Sequence, residues 1–220
     1  MAKEIKNENA EAVVEAVSKT EQFFEKNGKL LSIICVAVVV ACAAVFCWHK
    51  FAYQPKVAEA QGQMALAEAN FRAADYELAL NGDGNVLGFV QILDQYGTKA
   101  GKSVNFYAGI CELQLGNWES AIKYLEAYNG KDEILAARAK ACLGDAYVGL
   151  ENYKKALGYF EQAAAAADNM FAAGYLLKAG VVAEKLGENE KALAYYTQIQ
   201  EEYPNSMEGY DIDKYIGRLQ

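Results

Sequence analysis

The chain has 220 residues, enough for one sizeable domain with a tail or for a repeat array. With 53% hydrophobic residues and only two prolines it reads as helical, not as disordered or as a Gly/Pro-rich β fold. A net charge of −8 argues against nucleic acid as a partner, and a single histidine removes the usual side chain of general-base catalysis and zinc binding.

Residues 1–29 form a leader with six Glu against five Lys. Ala10, Val13, Val14, Val17 and Phe24 fall at helical spacing, which predicts a short amphipathic helix. Asn27-Gly28 predicts a break after it. The face is not basic, so a protein surface near a membrane suits it better than anionic lipid.

Residues 30–50 follow as a predicted membrane-spanning helix. Leu30–Trp48 is nineteen residues without a charge, and ten of them are Leu, Ile, Val or Phe. At 1.5 Å per residue such a helix covers about 28 Å, close to a hydrocarbon core of about 30 Å. Leu30, Ile33, Val38, Val45 and Phe46 supply the lipid-facing bulk, and Trp48, with Phe51 and Tyr53, suits an interfacial aromatic belt. A cleaved signal peptide is the rival reading, with Ala41-Cys42-Ala43 as a cut site or Val39-Val40-Ala41-Cys42 as a lipoprotein box. The acidic leader and the apolar run through Phe46 favour retention. Lys19, Lys26 and Lys29 before the span, against Lys50 and Lys56 after it, place the N-terminus in the cytoplasm.

Residues 51–102 read as a long helix over Lys56–Leu80, a lengthened turn at Asn81–Asn85, and a second helix through Phe89, Leu93 and Tyr96. This is a degenerate first hairpin. Asp83 lacks the following ligands of a calcium loop. Residues 103–205 repeat with a period of 35 and then 36. Gly109, Gly144 and Gly180 recur, as do Ala121, Ala156 and Ala192 and the turn residues Gly116-Asn117, Glu151-Asn152 and Gly187-Glu188. The aromatics Trp118, Tyr153, Phe160 and Tyr196 fill the space those small residues leave. Residues 206–220 predict a capping helix, with Tyr210, Tyr215 and Ile216.

This spacing resembles the tetratricopeptide repeat, which implies an all-α solenoid of helical hairpins. The usual Trp of its first helix is replaced here by Asn105, Lys140 and Leu176, and Asn189 stands where an aromatic belongs. The leader motif Gln22-Phe23-Phe24-Glu25-Lys26-Asn27-Gly28-Lys29, then one span, then degenerate repeats, resembles the ancillary subunit of the bacterial Sec translocon. That resemblance implies inner-membrane anchoring, a periplasmic repeat domain, and partners among translocon subunits, periplasmic chaperones or secreted clients.

In such an array the first helix of each hairpin lines a concave face. Register puts Phe106, Ile110 and Leu113 there, then Arg138, Asp145 and Val148, then Leu177, Val181, Glu184 and Lys185. An apolar face with charged edges suits an extended peptide or a helix, unless a flanking helix covers it. Arg138 and Lys185 stand beside acids, which disfavours a clamp for C-terminal carboxylates. No catalytic, metal, cofactor or small-molecule site is predicted. Cys111 and Cys142 have no CxxC spacing and read as buried apolar residues. The expected function is a membrane-anchored protein-interaction module assisting handover of secreted proteins. A structural scaffold of an envelope complex and a cytosolic adaptor of inverted topology are the alternatives.

Overall fold

The computed structural model describes residues 2–166 and 171–220, excluding the side chains of 2–17, 19, 20, 22–24 and 98. The leader face expected at Ala10, Val13, Val14, Val17 and Phe24, and the aromatic pair Phe23-Phe24, lie outside the described side chains. No strand occurs among the described residues, and the chain divides into two units, Met1–Pro55 and Lys56–Gln220.

The first unit is one helix, α1 (Ala2–Trp48), closed by a π-helical turn at His49–Tyr53. The break expected at Asn27-Gly28 is absent. Nothing lies within 4 Å of a Cβ built on Gly28, its carbonyl accepts from Ser32 Oγ at 2.8 Å, and the helix runs on. Glycine lowers helix propensity, but the strong apolar helix formers that follow carry the helix past a single one. From Leu30 to Trp48 every side chain but the half-buried Leu31 is exposed, Val39 to 66%. Among the described residues, the helical run Glu25–Arg72 alone contains a stretch long and apolar enough to cross a membrane. At its end His49 stacks on Tyr53, Trp48 meets the same ring, and Lys50 Nζ lies 5.9 Å from the Phe46 ring centre.

The second unit is a solenoid of four helical hairpins. Three of them are the repeats expected over residues 103–205: α5 (Ser103–Gln114) with α6 (Trp118–Ala127), α7 (Glu133–Gly149) with α8 (Tyr153–Ala166), and α9 (Ala172–Lys185) with α10 (Asn189–Glu202). The glycines explain the periodicity. A Cβ on Gly109 would lie 2.6 Å from Leu125, on Gly144 2.5 Å from Phe160, and on Gly180 2.3 Å from Tyr196. These facing residues recur at the same period, and Ala121, Ala156 and Ala192 are fully buried beside them. The two helices of each hairpin therefore pack closer than any side chain at the glycine allows.

The first hairpin differs from expectation. The helical pattern over Lys56–Leu80 is two helices, α2 (Gln54–Arg72) and α3 (Tyr76–Asn81), joined at Ala74 with φ +60°. Each hairpin closes in the same way: the amide of Asp75, Asn117, Asn152 or Glu188 donates to the carbonyl five residues back, at Asn70, Glu112, Tyr147 or Ala183. The residue before each of these amides has positive φ, at Ala74, Gly116, Glu151 and Gly187. This is the 6→1 bond of a Schellman turn. The Asn81–Asn85 cluster is thus an insertion within the second arm, not the hairpin turn. It separates α3 from α4 (Phe89–Tyr96). Asp83 Oδ1 accepts from the amides of Asn85 and Val86, both at 2.8 Å, which holds its carboxyl below the usual carboxylate range. Ala60, Met64 and Ala67 of α2 share a core with Ala79, Leu80, Phe89 and Ile92.

The cap α11 (Met207–Gly217) starts at Ser206, whose Oγ accepts from the Gly209 amide at 2.9 Å. It buries Ile212 in the core that contains Tyr196 and Ile199.

Candidate functional site

The first helices of three successive hairpins, α2, α5 and α7, line an open groove of about 220 Å³. Its walls are Glu68, Phe71 and Arg72 from α2, Phe106, Tyr107 and Ile110 from α5, and Leu135 and Arg138 from α7. Helical spacing accounts for each set: positions three or four apart on one helix share a face. The rings lock together at the base. Phe71 meets Tyr107 edge-on at 5.1 Å, Phe106 meets Tyr107 edge-on at 5.8 Å, and Tyr128 closes on Phe106 at 5.5 Å. Such edge-to-face pairs hold ring positions beyond what burial alone does.

Charge is confined to the rim. Arg72 pairs with Glu68 at 3.6 Å, one helical turn apart. Arg138 is exposed, and among the described residues no carboxylate lies within ion-pair distance of it. Between them stands Tyr107. Burial, then the Glu68 carboxylate, push its phenol up, while Arg72 and Arg138 oppose the shift.

Of the ten residues expected on the concave face, Phe106, Ile110 and Arg138 come together here. Leu113 does not line the groove, although it, Phe106 and Ile110 are all buried in one core between the second and third hairpins, with Leu143 and Ala146. Asp145 is held by Lys178 Nζ of α9 at 2.7 Å. Val148 and Leu177 are half-buried, Val181 and Lys185 exposed. Glu184 is not an open rim charge. It accepts from the Tyr196 hydroxyl and pairs with Arg218, just beyond α11. Burial would raise its carboxyl, but the Arg218 and Tyr196 hydrogen bonds outweigh this and lower it. The C-terminal segment thus closes the Glu184 end and leaves the α2–α5–α7 end open.

Sequence reasoning missed Glu68, Phe71 and Arg72. The available signal was Ala74-Asp75-Tyr76, which aligns with Gly116-Asn117-Trp118 and Glu151-Asn152-Tyr153 and marks α2 as a first helix. The thiols of Cys111 and Cys142 are buried, and burial pushes them up to about 12 and about 11. Among the described residues no cluster of His, Cys, Asp and Glu could hold a metal ion.

Comparison with known proteins agrees with this architecture. Residues 143–206, which span the end of α7 through α10, match the family model of the tetratricopeptide repeat. The MamA protein aligns over 74% of this chain and 81% of its own, at 20% identity and a TM-score of 0.58. MamA 41-end from Desulfovibrio magneticus RS-1 aligns over 75% of this chain and 93% of its own, at 18% identity and a TM-score of 0.53. No curated protein matches. The fold is an all-α solenoid of tetratricopeptide type, accompanied by one long apolar helix.

Proposed function

We propose that the chain is a membrane-tethered protein-interaction module, with Leu30–Trp48 spanning a bacterial inner membrane and the repeats binding other proteins in the periplasm. The open groove across α2, α5 and α7 carries this reading. It is apolar at its base and charged only at its rim. The uncovered apolar length of α1 supports the tether, because a soluble helix that exposes its whole circumference in this way would aggregate. Lysine bias supports a cytoplasmic leader. The likeness of the leader to the ancillary Sec subunit supports partners at the translocon, among periplasmic chaperones or secreted clients.

Two measurements test the proposal. A photo-reactive side chain at Leu135, on the groove wall, is expected to crosslink translocon subunits or secretory clients in living cells. A single stoichiometric partner that persists when secretion is blocked points instead to the scaffold reading. Resistance of the chain to alkaline carbonate extraction, together with access of an impermeant thiol reagent to an engineered surface cysteine from the periplasmic side, tests the tether and its orientation. Extraction into the supernatant, or labelling only after lysis, refutes that part.

A further inference from the structure

Resting on the interaction-module reading, we propose that the α2–α5–α7 groove takes an internal segment of a partner protein presenting one phenyl-sized apolar side chain with a single carboxylate beside it. Size sets the first requirement. The groove measures about 220 Å³. An apolar cavity of about 150 Å³ holds a benzene ring, whereas whole small-molecule sites begin near about 300 Å³. One large side chain fits; a cofactor does not. The walls favour an aromatic or broad aliphatic group, since Phe71, Phe106, Tyr107, Ile110 and Leu135 surround the space.

Charge sets the second requirement. Three neighbouring ion pairs satisfy their own charges, Glu68 with Arg72, Asp145 with Lys178 and Glu184 with Arg218, and the exposed Lys185 does not line this groove. Arg138 alone stands on the groove wall with no carboxylate partner among the described residues. Its planar fork suits a carboxylate bidentately. The surrounding unit limits how acidic the ligand is. Residues 56–220 carry 15 Lys and Arg against 23 Asp and Glu, so a polyacidic segment is repelled over the Debye length while a single carboxylate seats at Arg138. One guanidinium is too few for the clamps that seize a chain's C-terminal carboxylate, hence an internal segment with a side-chain acid.

The test uses the full-length chain in dodecyl maltoside and fluorescence anisotropy with dye-labelled, C-terminally amidated octapeptides. Each has a Ser, Lys and Gly frame around a Phe-Asp or Asp-Phe pair. Replacing the Phe by Ala, or the Asp by Asn, is expected to weaken binding about tenfold, the usual worth of one buried ring or one charge-assisted hydrogen-bonded pair. In Arg138→Gln the Asp and Asn peptides are expected to bind alike; the side chain is exposed, and an unchanged circular dichroism spectrum verifies the fold. Equal binding of Asp and Asn peptides to the unmodified chain overturns the proposal, as does Asp preference that persists in Arg138→Gln or no peptide binding at all. Crosslinking from Leu135 separates the two levels. A translocon or client crosslink without peptide discrimination leaves the interaction reading standing and removes this one.

Discussion

Replacing Gly144 by alanine adds one methyl group to the interior of α7. Built in place, that Cβ sits 2.5, 2.7 and 2.8 Å from three carbons of the Phe160 ring. Ordinary carbon contacts lie near about 3.5–4.0 Å, so the helices must part by roughly 1 Å or the ring must leave its rotamer. Phe160 is 1% exposed and has no space to move into. Overpacking of this kind costs about 1–3 kcal/mol, partly offset by a helix-propensity gain of about 0.5–1 kcal/mol. The net expectation is a loss of about 1–2 kcal/mol. Gly158 of α8 supplies the control, because nothing lies within 4 Å of its built Cβ. The same substitution there leaves only the propensity gain, about 0.5–1 kcal/mol of stabilisation. Urea unfolding of the chain in detergent, followed by the urea-sensitive helical signal, reads both. With a slope near ~2 kcal/mol per molar, Gly144→Ala is expected to lower the midpoint by about 0.5–1 M and Gly158→Ala to raise it by about 0.3–0.5 M. Midpoint shifts of the same sign would refute the close-approach account of the repeat glycines.

Three further outcomes follow from geometry. Glu151 occupies the left-handed turn position with φ +56°, where Gly116 and Gly187 stand in neighbouring hairpins, so Glu151→Gly is expected to raise the same urea midpoint; a lower midpoint contradicts the strain. The lowered Glu184 carboxyl gives a pH dependence. A depressed folded-state value contributes stability above the ordinary Glu range, and that stability is lost as pH falls from about 4.5 through the folded value. The protection factors of the α11 amides, exchange rates corrected for the intrinsic pH dependence, are therefore expected to fall on acidification, and to be lower but less pH-sensitive in Arg218→Ala; an unchanged acid response in that variant rejects the clasp. Finally, in a variant with Cys35, Cys42 and Cys47 replaced by alanine, an aromatic disulfide reagent at pH 8 is expected to label Cys111 and Cys142 only after denaturant is added, and prompt labelling of the folded chain contradicts their burial.

The three C-terminal hairpins were readable because their glycines have no substitute. Where a helix backbone packs against a facing side chain, the constraint is written as Gly at one register and Ala at another, both with the same period. The first hairpin hides the same geometry. Ala67 stands, fully buried, at the glycine position of α2, and Ala74 takes the left-handed turn without any turn-forming residue to announce it. Asn81–Asn85, which carries every turn signal, instead interrupts the second arm. That misreading shifted α2 out of register and concealed Phe71 together with Glu68 and Arg72, two of the three charges of the rim. Phe106, Ile110 and Leu113 were legible from periodicity as one buried face, but periodicity alone does not tell which buried side chains also border a groove, and Leu113 does not. The pairing of Glu184 with Arg218 spans 34 residues and depends on where α11 packs, which no local pattern encodes.

The Schellman closure has an engineering corollary. Since the chain reverses on an identical amide-to-carbonyl link whether alanine, glycine or glutamate occupies the bend, the reversal belongs to the main chain, and a residue other than glycine there adds strain without abolishing it. A copy of residues 103–132, which hold α5, α6 and the loop after them, spliced in ahead of α7 therefore brings its own hinge with it. The receptor trough would lengthen by one module, with the apolar rod at one terminus and the Arg218 clasp at the other left intact.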